Sequence, residues 1–141
     1  MEVRVRTDDV LDNAVQMGLT DLSAVVNPED LWTASSNNVI AFGNLDASNT
    51  PRMLSNTTSD PAYTIFGTRP MTVNTWHTLA IAYDGVTLRG FVDGKLSVLW
   101  TYAATSIPTG IALAPFIGAL NGDGAGAATT HFDYVRFVSE R

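Results

Sequence analysis

Two closely spaced Asp-Gly pairs, Asp84-Gly85 and Asp93-Gly94, each flanked by strand-forming residues, constrain this chain more than any other feature. Tight hairpin turns need positive φ, which Gly adopts freely and Asp tolerates better than most residues. The pairs predict a three-stranded antiparallel meander over residues 75–83, 86–92 and 95–101. In its first strand Trp76, Thr78, Ala80 and Ala82 share one face, and His77, Leu79, Ile81 and Tyr83 the other. Both faces carry apolar side chains, so the strand is expected to be central and covered on both sides. On that reading Trp76→Ala costs about 3–5 kcal/mol.

The rest of the chain keeps the same period of two, with further strands expected at 2–7, 14–20, 38–43, 62–67, 111–119 and 129–138. Asn27 before Pro28 suggests one helical turn at 27–32. In the last strand Phe132, Tyr134, Arg136 and Val138 alternate with His131, Asp133, Val135 and Phe137. Regular short strands separated by Asn, Asp, Ser, Gly and Pro point to an all-β, two-sheet antiparallel sandwich. At 141 residues, one core and one domain over 1–141 are expected. Trp76, Leu79, Ile81, Tyr83, Leu88, Phe91, Phe132, Tyr134 and Val135 are the expected core.

Composition removes whole classes of function. A net charge of −6 with no basic run leaves nothing to neutralise a phosphate backbone, so no nucleic-acid partner is expected. The absence of cysteine excludes disulfides, thiolate metal sites and a Cys nucleophile. No apolar run approaches about 18 residues, and the opening Met1-Glu2-Val3-Arg4-Val5-Arg6 has no signal-peptide core. No membrane partner is expected.

The run Trp76-His77-Thr78-Leu79-Ala80-Ile81-Ala82-Tyr83-Asp84-Gly85, followed by Phe91-Val92-Asp93-Gly94-Lys95, resembles the central hairpins of the concanavalin A-like lectin/glucanase superfamily, particularly laminin G-like and pentraxin-like jelly rolls. The closing Phe132-Asp133-Tyr134-Val135-Arg136-Phe137 resembles that superfamily's final strand. Within it, Val3-Arg4-Val5-Arg6 with Gln16-Met17-Gly18-Leu19-Thr20-Asp21, and the ending from Asp133 to Arg141, are similar to small tailed-phage proteins encoded among head genes. The chain departs from that group in starting almost directly on a strand. The resemblance implies a jelly roll, and for the phage group a capsid decoration protein or other virion component.

Related glucanases carry their carboxylates on alternate residues of one strand, within the about 5–5.5 Å that retaining hydrolysis requires. The three glutamates here, Glu2, Glu29 and Glu140, are far apart in sequence, so no enzyme activity is expected. His131 and Asp133 share a strand face and, with His77, are a candidate metal set, against the plainer reading of a strand start and a core neighbour. Asp8, Asp9 and Asp12, and Asn121 with Asp123, are candidate calcium loops, against self-capping turn residues. Neither set matches a recognised pattern, and no metal or other cofactor is expected. Among exposed-aromatic candidates Trp32, Trp100 and Tyr102, Trp32 stands out because Ser35, Ser36, Asn37 and Asn38 follow it. Trp32, Asn37, Asn38 and Asp123 form the candidate glycan site, where an indole stacks on a sugar ring and amides read hydroxyls; the alternative is that Trp32 plugs one end of the sandwich. Asn56-Thr57-Thr58 matches a glycosylation acceptor but reads as ordinary loop.

These readings lead to a non-enzymatic phage virion structural protein, expected to decorate the capsid exterior in multiple copies or as a homo-oligomer, against the major capsid protein or other virion proteins, after synthesis in the host cytoplasm. The alternative is a carbohydrate-binding, lectin-like module for glycan adhesion.

Overall fold

The computed structural model describes residues 1–9, 13–21, 38–44, 48–57, 60–101, 107–108, 110–121 and 128–138. These residues form ten strands: β1 (Glu2–Thr7), β2 (Asn13–Thr20), β3 (Val39–Gly43), β4 (Arg52–Thr57), β5 (Asp60–Phe66), β6 (His77–Tyr83), β7 (Thr87–Val92), β8 (Lys95–Thr101), β9 (Ala114–Asn121) and β10 (Thr130–Arg136). They build two five-stranded antiparallel sheets, ordered β10-β1-β6-β7-β8 and β5-β4-β3-β2-β9. No helix occurs among the described residues, and the expected turn at 27–32 lies outside them.

The meander is present as β6-β7-β8. Asp93 and Gly94 both take positive φ, 52° and 71°, as a tight hairpin turn demands, and Gly85 does so at 92°. Asp84 organises the other turn through its side chain. Its Oδ1 accepts the Val86 and Thr87 N–H groups at 3.0 and 2.7 Å, and Oδ2 accepts from Arg89 at 2.6 Å. The Thr87 N–H, then the Arg89 guanidinium and the Val86 N–H, hold its carboxyl at about 2. A depressed folded value stabilises the fold above the unfolded carboxylate range near 4, and that contribution disappears as pH falls from about 4 to about 2. In denaturant titrations Asp84→Asn is therefore expected to be less stable than the wild type at pH 7, with the two curves converging below about pH 2. A gap that stays constant with pH would show that the carboxylate charge does not matter here.

The core lies between the sheets. Val3, Val5, Leu79, Leu88 and Trp100 from the first sheet meet Val15, Met17, Ile40, Phe42 and Met53 from the second. Burial alternates along β1, where Glu2, Arg4 and Arg6 face outward and Val3, Val5 and Thr7 inward. In β2, β3 and β4 burial hardly alternates, because both faces are covered; Val39, Ala41 and Leu54 form a second apolar cluster on the outer side with Phe116 against it.

Several expectations need correction. β6 is central in its sheet, but only its His77-Leu79-Ile81 face is buried; Trp76, Thr78, Ala80 and Ala82 face outward, half-buried or exposed. The cost expected for Trp76→Ala assumed a buried ring and no longer applies. Of the nine expected core residues, Leu79, Ile81 and Leu88 are buried, and Trp76 and Phe91 are half-buried. Tyr83, Phe132, Tyr134 and Val135 are exposed, the last three because β10 is an edge strand with a partner on one side only. β4 was not anticipated. Asn56, expected in a loop, lies in β4 at 1% exposure, which removes it as a glycosylation acceptor in the folded chain.

Candidate functional site

Of the expected glycan residues, Trp32, Asn37 and Asp123 lie outside the described residues, as do Tyr102 and the neighbouring Ser35 and Ser36. Asn38 is described and buried. Its backbone N–H donates to Asp21 Oδ1 at 3.0 Å and its Nδ2 to Asp21 Oδ2 at 2.6 Å, which closes the chain between β2 and β3. Trp100, another aromatic candidate, points into the core at 1% exposure and offers no platform.

The candidate metal set does not assemble. His77 is buried with both ring nitrogens engaged, Nε2 accepting the Thr72 N–H at 2.9 Å and Nδ1 lying 2.8 Å from Asp93 Oδ2. Asp133 pairs with Arg4 at 2.8 Å, and His131 sits on the exposed β10 edge. No group of three His, Cys, Asp or Glu side chains able to hold a metal occurs among the described residues. For the proposed calcium loops, Asp8 Oδ1 accepts the Thr129 N–H at 2.7 Å, joining the ends of β1 and β10 as a turn residue does. Asp12 and Asp123 lie outside the described residues, and Glu29 and Glu140 likewise. The one described glutamate, Glu2, accepts the Tyr134 hydroxyl at 2.7 Å, and this bond pushes the Tyr134 phenol up from its ordinary value.

What sequence reasoning missed is a surface. Along the β9/β10 side of the sandwich, residues in register with buried neighbours stay open to solvent: Ile117 opposite Met17, and Val135 opposite Val3. Ile117 is 38% exposed and Val135 48%, while Met17 and Val3 are fully buried. The sheets run out at this side before the core is covered. Phe137 and Val138 continue the apolar strip at 50% and 63% exposure. They also line a cleft of about 540 Å³ with Leu19, Ile81 and Tyr83. The signal was present in the alternation of residues 131–138, but sequence could not say that both strands end their sheets.

Beside this strip, the outer face of the first sheet is rich in arginine and aromatic groups. Arg4 and Arg6, alternate residues on β1, place their guanidinium carbons 5.1 and 5.3 Å from the centre of the Trp76 ring, within cation–π range. Arg4 is held by Asp133, Arg89 by Asp84, and Tyr134 by Glu2. Arg136, across from Glu2 in the β1/β10 register, lines a shallow hollow of about 200 Å³ with Glu2 and Ala80.

Among the described residues the geometry offers an apolar side and an Arg-aromatic face. Two five-stranded antiparallel sheets packed across an apolar core, with the meander at the heart of one of them, agree with the match of a laminin G type family model to residues 15–140. No curated protein matches the chain. The family model spans nearly all of the fold, and the chain belongs to the concanavalin A-like lectin/glucanases superfamily.

Proposed function

We propose that this domain is a non-enzymatic attachment module, a virion structural protein that decorates the assembled capsid of a tailed phage. The observation that carries the attachment reading is the open apolar side at β9 and β10, where Ile117, Phe132, Val135, Phe137 and Val138 are all at least 38% exposed. Contiguous exposed apolar surface of this kind marks interaction sites on soluble proteins. The phage assignment rests on the resemblance of the chain's two ends to head-associated proteins. A module that binds the assembled shell better than dispersed subunits stabilises the shell by mass action. A standard interface of about 1,600 Å² in total takes about 800 Å² from each partner, roughly a tenth of this domain's 7259 Å² surface, so one domain has room to bridge neighbouring shell subunits and display in several copies adds avidity.

A second reading, a lectin-like module, is supported by membership of a family that includes lectins. Co-sedimentation separates the two. The purified domain is expected to pellet with undecorated shells of its phage and to be found by mass spectrometry in purified virions. A domain that stays in the supernatant and is missing from virions would remove the decoration reading, and retention on a glycan array abolished by Trp32→Ala would establish the lectin.

A further inference from the structure

We propose that the outer face of the first sheet, on its β10-β1-β6 side, docks an acidic protein surface; this rests on the attachment reading and gives its partner a chemistry. Charge supplies the first argument. The chain carries eight basic and fourteen acidic residues. Among the described residues Arg4, Arg6 and Arg136 stand on this face beside Glu2 and Asp133, with Arg89 and Asp84 as a neutral pair at its β7 margin. The described side chains therefore give the face a net charge of +1 on a chain whose total is −6. A positive face on an acidic protein orients an acidic partner toward it and turns the remaining surface away.

The second argument is which cations are free to bind. Asp133 neutralises Arg4 and Asp84 neutralises Arg89, whereas Arg6 and Arg136 have no carboxylate partner among the described residues. Arg6 lies over Trp76, its guanidinium carbon 5.3 Å from the ring centre, and this contact reduces the side-chain freedom to be lost when the guanidinium meets a carboxylate. Composition supplies the third. Trp, Tyr and Arg are the side chains that dominate protein interfaces, while Lys and Glu are depleted there. Trp76, Tyr134 and the arginines fit that pattern, and the apolar cleft beyond Arg136 gives a partner side chain a place to anchor.

The test uses the full chain on immobilised polyglutamate and immobilised heparin, with shell co-sedimentation in parallel. Wild type is expected to be retained on polyglutamate at low ionic strength and released at about 0.5 M salt, where the screening length falls to a few ångströms. R6E/R136E is expected to lose retention on the order of tenfold or more. R69E/K95E, with the same charge change on residues away from this face, is expected to keep it. R6Q/R136Q, with dichroism as a check of folding, guards against a variant that merely unfolds. Failure of the wild type to bind polyglutamate, or equal losses in both charge-reversed variants, overturns the proposal. Retention on heparin alone overturns the protein partner in favour of a polysaccharide. Shells that bind R6E/R136E as well as wild type overturn this face and leave decoration standing. Retention on polyglutamate without shell binding supports the face and removes decoration.

Discussion

Phe42→Ala is expected to lower the free energy of unfolding by about 3–5 kcal/mol, the range for a fully buried ring whose cavity cannot collapse. Phe42 is 0% exposed on β3 and crosses the sandwich to lie on the backbone of β7. The contact is made at Gly90, where a Cβ would stand 2.7 to 3.0 Å from three atoms of the ring. Gly90 is therefore glycine for space, with no positive φ involved. Gly90→Ala is expected to cost about 1–3 kcal/mol through overpacking. The two losses should not add. With the ring gone, a methyl at position 90 fills part of the void, so the double variant is expected to be more stable than additivity predicts by about 0.5–3 kcal/mol. Urea midpoints of the four proteins, with slopes checked for constancy, measure this. Strict additivity would mean that Phe42 does not rest on Gly90.

That pair also shows where sequence reading stops. The Asp-Gly turns are legible because their chemistry is local: two adjacent residues fix the backbone and the flanking alternation fixes the strands. Gly90 sits in the same meander, yet the reason for it lies on another sheet. β4 was illegible for a related reason. Arg52-Met53-Leu54-Ser55-Asn56-Thr57 shows no period of two because Met53 and Leu54 face opposite apolar layers, and both are fully buried. Ser55 and Asn56 are buried as well, so polarity misled there. β10 failed in the opposite direction: its alternation is real, but position in the sheet decides burial, and an edge strand leaves Phe132 and Val135 in solvent. The Arg-aromatic face needs Arg4 and Arg6 from β1 beside Trp76 before β6, a juxtaposition that only strand order creates.

His77 carries the second large effect. Its ring, 6% exposed, accepts the Thr72 N–H at Nε2, which places its own proton on Nδ1 facing Asp93 Oδ2. Asp93 in turn accepts the Thr78 N–H at 2.9 Å through Oδ1 and donates its backbone N–H to the Thr78 carbonyl at 2.8 Å. One imidazole therefore fastens the segment entering β6 to the β7-β8 turn. Replacing it with Phe keeps volume and apolar contact but leaves the Thr72 donor and the Asp93 acceptor without it. His77→Phe is expected to cost about 1–3 kcal/mol, two hydrogen bonds at about 0.5–1.5 kcal/mol each, since Thr72 and Asp93 are exposed and turn to water instead. Hydrogen exchange locates the loss more sharply than stability alone. The Thr72 amide should lose protection in His77→Phe, while the Thr78 amide, still held by Asp93, keeps most of its own. Unchanged protection at Thr72 would mean that the imidazole does not fasten this segment, and that packing alone places His77 in the core.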